Sequence, residues 1–335
     1  MLRTVCETSL AAAITVAVGL GFAGTTAAQN YPVKPIRLVV PFAPGGPADV
    51  IGRIIGQQLN IILGQSLVIE NRGGAGGTIG ARFAAAAEPD GYTLMFANTS
   101  TLSISPAVYR HLDYDPAKAF APVALIGTTS NIVVVNPALP VKTIAELIAY
   151  GKANPGKLSY STPGVGTPPH MIGEMFKQRT GLDITHVPYK GGGGSTQDVV
   201  SGQVPLTFEN PAISLPLVLA GQIRPLAVTS DVRNPRIPDV PTLSESIPGF
   251  VSMSFTGMVA PAGVSPAIIT RLNAAINESL MTPAVQATLG QLSVDVKPGT
   301  PEEFGAFWPG KRKSGWRSPR RRRFSSIEFP HRRQL

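Results

Sequence analysis

Residues Ile36 to Arg53 read IRLVVPFAPGGPADVIGR: an apolar strand pattern, a Pro-Gly-Gly-Pro loop, an acid, then apolar residues at helical spacing. A strand that passes directly into a helix cannot pair back as a hairpin, so the strand after that helix returns parallel to the first. The unit repeats. Val50, Ile51, Ile54, Ile55, Leu59 and Ile62 carry the helix to Gly64, SLVIEN reads as a second strand, Thr78 to Ala87 as a small-residue helix and YTLMFAN as a third strand. This βαβαβ order predicts a parallel α/β sheet.

A second series begins near Gly127. Asn131 to Val135, LSYST, ITHVPY, PLTFEN and RPLAVTS read as strands, and Thr143 to Asn154, Pro169 to Thr180 and Gln197 to Ser201 as helices. Thr143 and Glu146 have the spacing of a capping box. SFTGMVAPAG then returns toward the first unit, Ser265 to Leu280 is an amphipathic helix, and Thr300-Pro-Glu-Glu starts another. The pattern is two α/β units, the second inserted in the first. Domain 1 is expected over 29–128 and 253–307, and domain 2 over 129–252.

The first 28 residues predict a secretory leader: Arg3, an uncharged run from Leu10 to Phe22, and Thr26-Ala27-Ala28 for cleavage after Ala28. The run is short of the ~20 residues a membrane span needs. The single cysteine, Cys6, precedes that run, so disulfides, thiolate catalysis and cysteine metal sites are not expected in the exported chain. The net charge of +9 is local. Ten basic residues and one acid from Trp308 onward account for all of it, and the remainder is balanced, so the body carries no nucleic-acid footprint.

Nucleotide and catalytic motifs fail on context. Gly151 to Lys157 and Gly305 to Lys311 have the G-x4-G-K spacing, but Leu158 and Arg312 stand where the metal-binding hydroxyl belongs. There is no H-E-x-x-H and no G-x-S-x-G. The histidines, His111, His170, His186 and His331, are too scattered for a metal cluster, and no cofactor is expected. What recurs is small polar or glycine loops after strands: Pro44-Gly45-Gly46, Asn98-Thr99-Ser100, Thr162 to Thr167, Gly191 to Gly194 and Glu209-Asn210-Pro211. In parallel α/β sheets ligands bind beyond the carboxyl ends of the strands. These loops offer N–H groups and hydroxyls with few charged side chains, which suits a small carboxylate at helix N-termini better than a polyphosphate.

In order and spacing, VPFAPGGPADVIGR, ENRGGAGGTIGA, GYTLMFANTST, STPGVGTPPHMIGEMFK, HVPYKGGG, GQVPLTFEN, PDVPTLSESIPGF and GMVAPAG resemble the Bug family. These are extracytoplasmic solute receptors of tripartite tricarboxylate transporters, and the match runs from about Tyr31 to Phe307. The resemblance implies a periplasmic-binding-protein type II (Venus flytrap) fold and a periplasmic, monomeric receptor. It would have no enzymatic activity, and its partners would be a small organic anion and the transporter's membrane subunits. It also implies a ligand site of Gly45, Gly46, Asp49, Thr99, Ser100, Gly166, Thr167, His170 and Asn210, with a carboxylate held by backbone N–H groups and ordered water. The sequence departs from the family at Leu102-Ser103-Ile104-Ser105, at Glu209 where Asp is usual, and at Phe255-Thr256.

From Trp308 the chain loses the family's closing amphipathic helix, and Pro309, Gly310, Gly315 and Pro319 break helical pattern. We read this as a reading-frame shift near Phe307 that removes the last helix of domain 1. The alternative is an anionic-surface binder acting through the basic tail. The rival to a receptor is an exported hydrolase using His170 and Asp49.

Overall fold

The computed structural model describes residues 31–308. The expected leader, and the basic segment from Pro309 onward, lie outside the described residues.

The first sheet has six strands in the order β11-β4-β10-β3-β1-β2. They are β1 (Ile36–Val40), β2 (Leu67–Asn71), β3 (Thr93–Asn98), β4 (Phe120–Ser130), β10 (Met253–Pro261) and β11 (Asp295–Val296). The second has five in the order β7-β6-β8-β5-β9: β5 (Ile132–Val135), β6 (Leu158–Thr162), β7 (Ile184–Pro188), β8 (Leu206–Glu209) and β9 (Arg224–Val228). The chain crosses between the sheets twice, from Ser130 to Ile132 and from Val228 to Met253. The result is two α/β domains, the second inserted in the first.

The expected parallel core is present, with β1 parallel to both β2 and β3, and β6 parallel to both β7 and β8. The sheets are nonetheless mixed, because the strands next to each crossover run the other way: β10 is antiparallel to β3 and β4, and β5 to β8 and β9. The sequence pattern missed β4. Pro122 interrupts its apolar run, and the register shifts between Thr256 and Gly257 and between Met258 and Val259 of β10 absorb the irregularity. Gly127, where the second series was expected to begin, lies inside β4.

Helix starts follow their capping residues. Helix α1 (Pro47–Leu63) has Pro47 in its first turn and ends on left-handed Gly64. Helix α2 (Thr78–Ala85) crosses from β2 to β3. In α3 (Ile144–Ala153) Thr143 caps the Glu146 N–H at 3.1 Å, and Glu146 reaches back to the Lys142 N–H at 2.6 Å, one residue before the cap. Helices α4 (Pro168–Thr180), α5 (Gly192–Val200) and α6 (Pro211–Leu219) each follow a strand of the second sheet. Helix α5 takes in Gln197 to Val200, expected to belong to a short helix, and begins five residues before Gln197. Gly192 to Gly194 are therefore helical, although glycine disfavours helix, because tertiary contacts to Glu209 fix this turn. Helix α7 (Pro266–Met281) is followed by α8 (Pro283–Gln291), which the pattern also missed, and by α9 (Pro301–Gly305) with a full capping box on Thr300 and Glu303.

Both sheets are buried on both faces. In the first, Leu38, Ile55, Phe96 and Ile276 pack on one side, and Val39, Ala84, Phe255 and Phe304 on the other. In the second, Val133 and Val135 join Tyr160, Phe176 and Phe208, while Ile132 and Val134 join Val199 and Leu215. Trp308, expected to open the tail, is fully buried with its ring 5.1 Å from Phe304.

Candidate functional site

Three loops at the carboxyl ends of β1, β2 and β3 form one wall, and Asp49 joins them from within. It is 3% exposed in the first turn of α1. Oδ2 accepts from the Gly45 N–H at 2.9 Å and from Arg53 Nε at 3.0 Å, and Oδ1 accepts from Asn71 Nδ2 at 3.0 Å. Asn71, the last residue of β2, also donates to Phe42 O at 3.1 Å. Burial pushes the Asp49 carboxyl up, but the bonds from Arg53, Gly45 and Asn71 outweigh it and hold the group below the ordinary carboxylate range. Gly45 and Gly46 sit at the lip of this wall. At the end of β3, Thr99 Oγ1 accepts from the Phe255 N–H at 2.8 Å, clamping the loop to the strand that returns from the second domain. Ser100, almost fully buried, opens a π-helical turn over Ser100–Ile104, a local geometry that recurs at functional sites.

The second wall comes from the carboxyl ends of β6, β7 and β8. Thr167 Oγ1 donates to Gly164 O at 2.6 Å, closing the turn that carries Val165 and Gly166. Pro168 and Pro169 fill the first two positions of α4. Neither has an N–H, so this helix start offers fewer donors than its position suggests, and in the glycine turn before it the Gly166 N–H already reaches His170 Nδ1 at 3.5 Å. The His170 ring lies 4.4 Å from that of His186 at a tilt of 36°, and His186 stacks at 5.0 Å on Tyr160. Thr162 Oγ1 accepts from the Gly164 N–H at 3.2 Å and shares a hydrogen bond of 2.7 Å with His186 Nε2. Burial pushes His186 down to about 4 and pushes His170 down as well.

Glu209 is the least expected member of this wall. It is 1% exposed. Oε1 accepts from the Asn210 N–H at 2.8 Å, and Oε2 from Thr196 Oγ1 at 3.1 Å and Ser195 Oγ at 3.4 Å. A β-carbon on Gly192 would lie 3.4 Å from both carboxyl oxygens. The start of α5 is thus occupied by the protein's own carboxyl group, not left open for a ligand. Burial pushes that group up to about 7, against the hydrogen bonds of Asn210, Thr196 and Ser195. Asn210 caps α6 through Oδ1, which accepts from the Ala212 N–H at 2.9 Å.

The two walls face each other. Tyr109, which follows the turn after β3, donates to Val165 O at 3.3 Å, and the β2 loop reaches the same carbonyl at Gly76. The site residues named from the sequence fall into two groups on these walls: Gly45, Gly46, Asp49, Thr99 and Ser100 on the first, and Gly166, Thr167, His170 and Asn210 on the second. Asp49 and His170 share no hydrogen bond among the described residues. The acceptors of Asp49 are taken by its own wall, so the arrangement does not assemble a base and its orienting acid. Tyr109, Gly76 and Asn71 were not selected from the sequence, and Glu209 was noted there as part of a loop and as a departure from the family but not as a site residue. Asn71 and Glu209 close their strands and so carried a positional signal, whereas Tyr109 carried none. A groove of about 910 Å³ lined by Lys34, Arg37, Glu70, Phe83 and Tyr92 lies where β1 and β3 begin, the wrong end for a ligand of this fold.

Residues 51–307 match the family described as tripartite tricarboxylate transporter family receptor. Protein BugT of Bordetella pertussis is 35% identical over 289 residues, covering 86% of this chain and 89% of that protein. Among solved structures, R. palustris Rpa4515 with adipate superposes with a TM-score of 0.80 at 37% identity, covering 83% of this chain and 93% of the other. MatC (Rpa3494) from Rhodopseudomonas palustris with bound malate gives 0.76 at 33% identity, covering 79% and 91%. Matching over most of their length and sharing the inserted two-domain fold, these relatives identify the chain as a member of the tripartite tricarboxylate transporter receptor family, a solute-binding receptor of the Bug type.

Proposed function

We propose that this receptor captures a small dicarboxylate between its two walls and delivers it to the membrane subunits of a tripartite transporter. The observation that carries the reading is the meeting of carboxyl-end loops from both sheets at Tyr109 and Val165, with N–H groups and hydroxyls in place of charged clamps. The related structures with adipate and malate support the ligand class. Gly45, Gly46, Asp49, Thr99 and Ser100 would serve one lobe, and Gly166, Thr167, His170 and Asn210 the other, with Asp49 shaping its loop. Binding the two lobes together requires contacts that differ between the open and closed forms. We place the lobes at 29–128 with 253–307 and at 129–252, and the mature monomer in the periplasm after cleavage near Ala28.

Thermal melting with adipate, malate, citrate and monocarboxylates tests this. A ligand at about 100 times its Kd adds roughly 2.7 kcal/mol of stability, a clear rise in Tm. If no carboxylate raises Tm, the reading fails. The mass of the exported protein tests the cleavage site.

A further inference from the structure

We propose that Tyr109 is a positioning residue that holds the two lobes closed over a bound acid, with Gly76 and Gly166 forming the seam it closes. This rests on the receptor reading above. Tyr109 follows the one-turn helix Ser105–Val108 and has extended backbone (φ −84°, ψ 124°), which carries its side chain away from that turn. Its phenol donates to Val165 O at 3.3 Å, across from the first lobe to the second. Its ring lies against Gly166, where a β-carbon would sit 3.1 Å from a ring carbon. From the β2 loop, a β-carbon on Gly76 would sit 2.8 Å from Val165 O and 3.3 Å from the Tyr109 hydroxyl. Gly76 and Gly166 have φ of 63° and 79°, a region that favours glycine. The lobes therefore approach this closely because two glycines leave room at the point of contact.

The seam is coupled to the ligand site by the chain itself. Val165 and Gly166 lie in the turn that Thr167 closes onto Gly164, at the carboxyl end of β6 in the second wall, and the Gly166 N–H reaches His170 Nδ1 at 3.5 Å. With the lobes together, Tyr109 fixes that turn against the first lobe, and with the lobes apart the bond and the ring contact are both lost. A contact made in one of two states biases the equilibrium toward that state by its own free energy. One long, half-exposed hydrogen bond is a modest bias of about 2- to 10-fold, which lets a receptor reopen and release. Near the crossovers the lobes are tied separately, by Arg236 Nη1 to Gln291 O at 2.5 Å and Asn234 Nδ2 to Ser293 Oγ at 3.2 Å, so loss of the seam does not separate the domains.

The test compares wild type with Tyr109→Phe and Tyr109→Ala, using adipate and malate as probes and small-angle scattering without ligand. Removing the phenol should raise koff about 2- to 10-fold, and removing the ring should raise it further, with kon and ligand-free Tm unchanged. Tyr109→Ala should also have a larger ligand-free radius of gyration than wild type. Unchanged koff in Tyr109→Ala, scattering identical to wild type, or a fall in Tm parallel to the loss of affinity would each overturn the proposal. If wild type binds neither acid, the dicarboxylate reading fails, and the scattering comparison still decides the seam.

Discussion

Asp49 accepts a hydrogen bond from the Gly45 N–H at 2.9 Å, so the acid in the first turn of α1 folds back onto the loop that precedes it. Together with Asn71 and Arg53 it makes the glycine loop a fixed surface. Asp49→Ala leaves the Gly45 N–H, the Asn71 amide and the Arg53 guanidinium without their acceptor, at a cost of about 1–3 kcal/mol. Asp49→Asn keeps one acceptor and should lose less. Because the folded group ionises below the ordinary range, its contribution is complete above that range and disappears as pH falls through it. Urea midpoints at pH 7 and pH 3 measure both effects. Equal midpoints for wild type and Asp49→Ala at pH 7 would rule out the pinning role.

The adjoining rings of His170 and His186 give the second domain a pH dependence of its own. Both rings are held neutral by burial, and His170 further opposes protonation of His186, against the pull of Glu174. The unfolded chain takes up protons near pH 6.5, while folded His186 resists until about 4. The stability of the neutral pair is therefore full above about 6.5 and is lost as pH falls toward 4. Tm should drop from pH 7 to pH 5. His186→Phe, which retains a ring in the stack, should shrink that drop. A drop of the same size in the variant would assign it elsewhere.

These two sites show what sequence pattern can and cannot carry. The strand–loop–helix order and the inserted second unit were legible because periodicity and capping are local. The start of α5 was not, since nothing in Gly191 to Gly194 announces that Glu209, fifteen or more residues later, organises that turn. Helix α8 followed the proline-marked end of α7 too closely to separate by spacing, and β4 was hidden by Pro122 and Gly127. At the site, glycine loops gave the positions of the walls. The seam at Tyr109 depends on how two domains sit against each other, which no local signal encodes.

Glu209 has the opposite sign to the histidines. Burial raises it to about 7 from an ordinary value near 4.5, so between those limits the folded chain keeps a proton that the unfolded chain has released. Stability on its account is complete below about 4.5 and falls as pH rises through 7. Glu209→Gln retains an acceptor and removes the ionisation. It should raise Tm by a few degrees at pH 8 and leave it near wild type at pH 5, the reverse of the His186→Phe pattern. Destabilisation at pH 8 would show that the ionised carboxylate is required for the Ser195, Thr196 and Asn210 contacts.

Trp308 is the last of the described residues. Its ring is buried against Phe304 in the cluster that also holds Phe255, Val39 and Ala84, and it follows the capped helix α9. Removing so large a buried side chain costs about 3–5 kcal/mol. A chain ending at Phe307 should therefore melt well below the full-length protein, whereas one ending at Trp308 should melt close to it. Both should retain the carboxylate selectivity of the full chain where folded, since among the described residues neither wall draws on any after Phe307. If the chain ending at Trp308 loses adipate or malate binding that the full chain shows, the basic segment takes part in capture. Reading the encoding DNA in the other two frames from Phe307 tests the origin of that segment. An amphipathic helical ending in one of them supports a frame shift, and its absence from both removes that explanation.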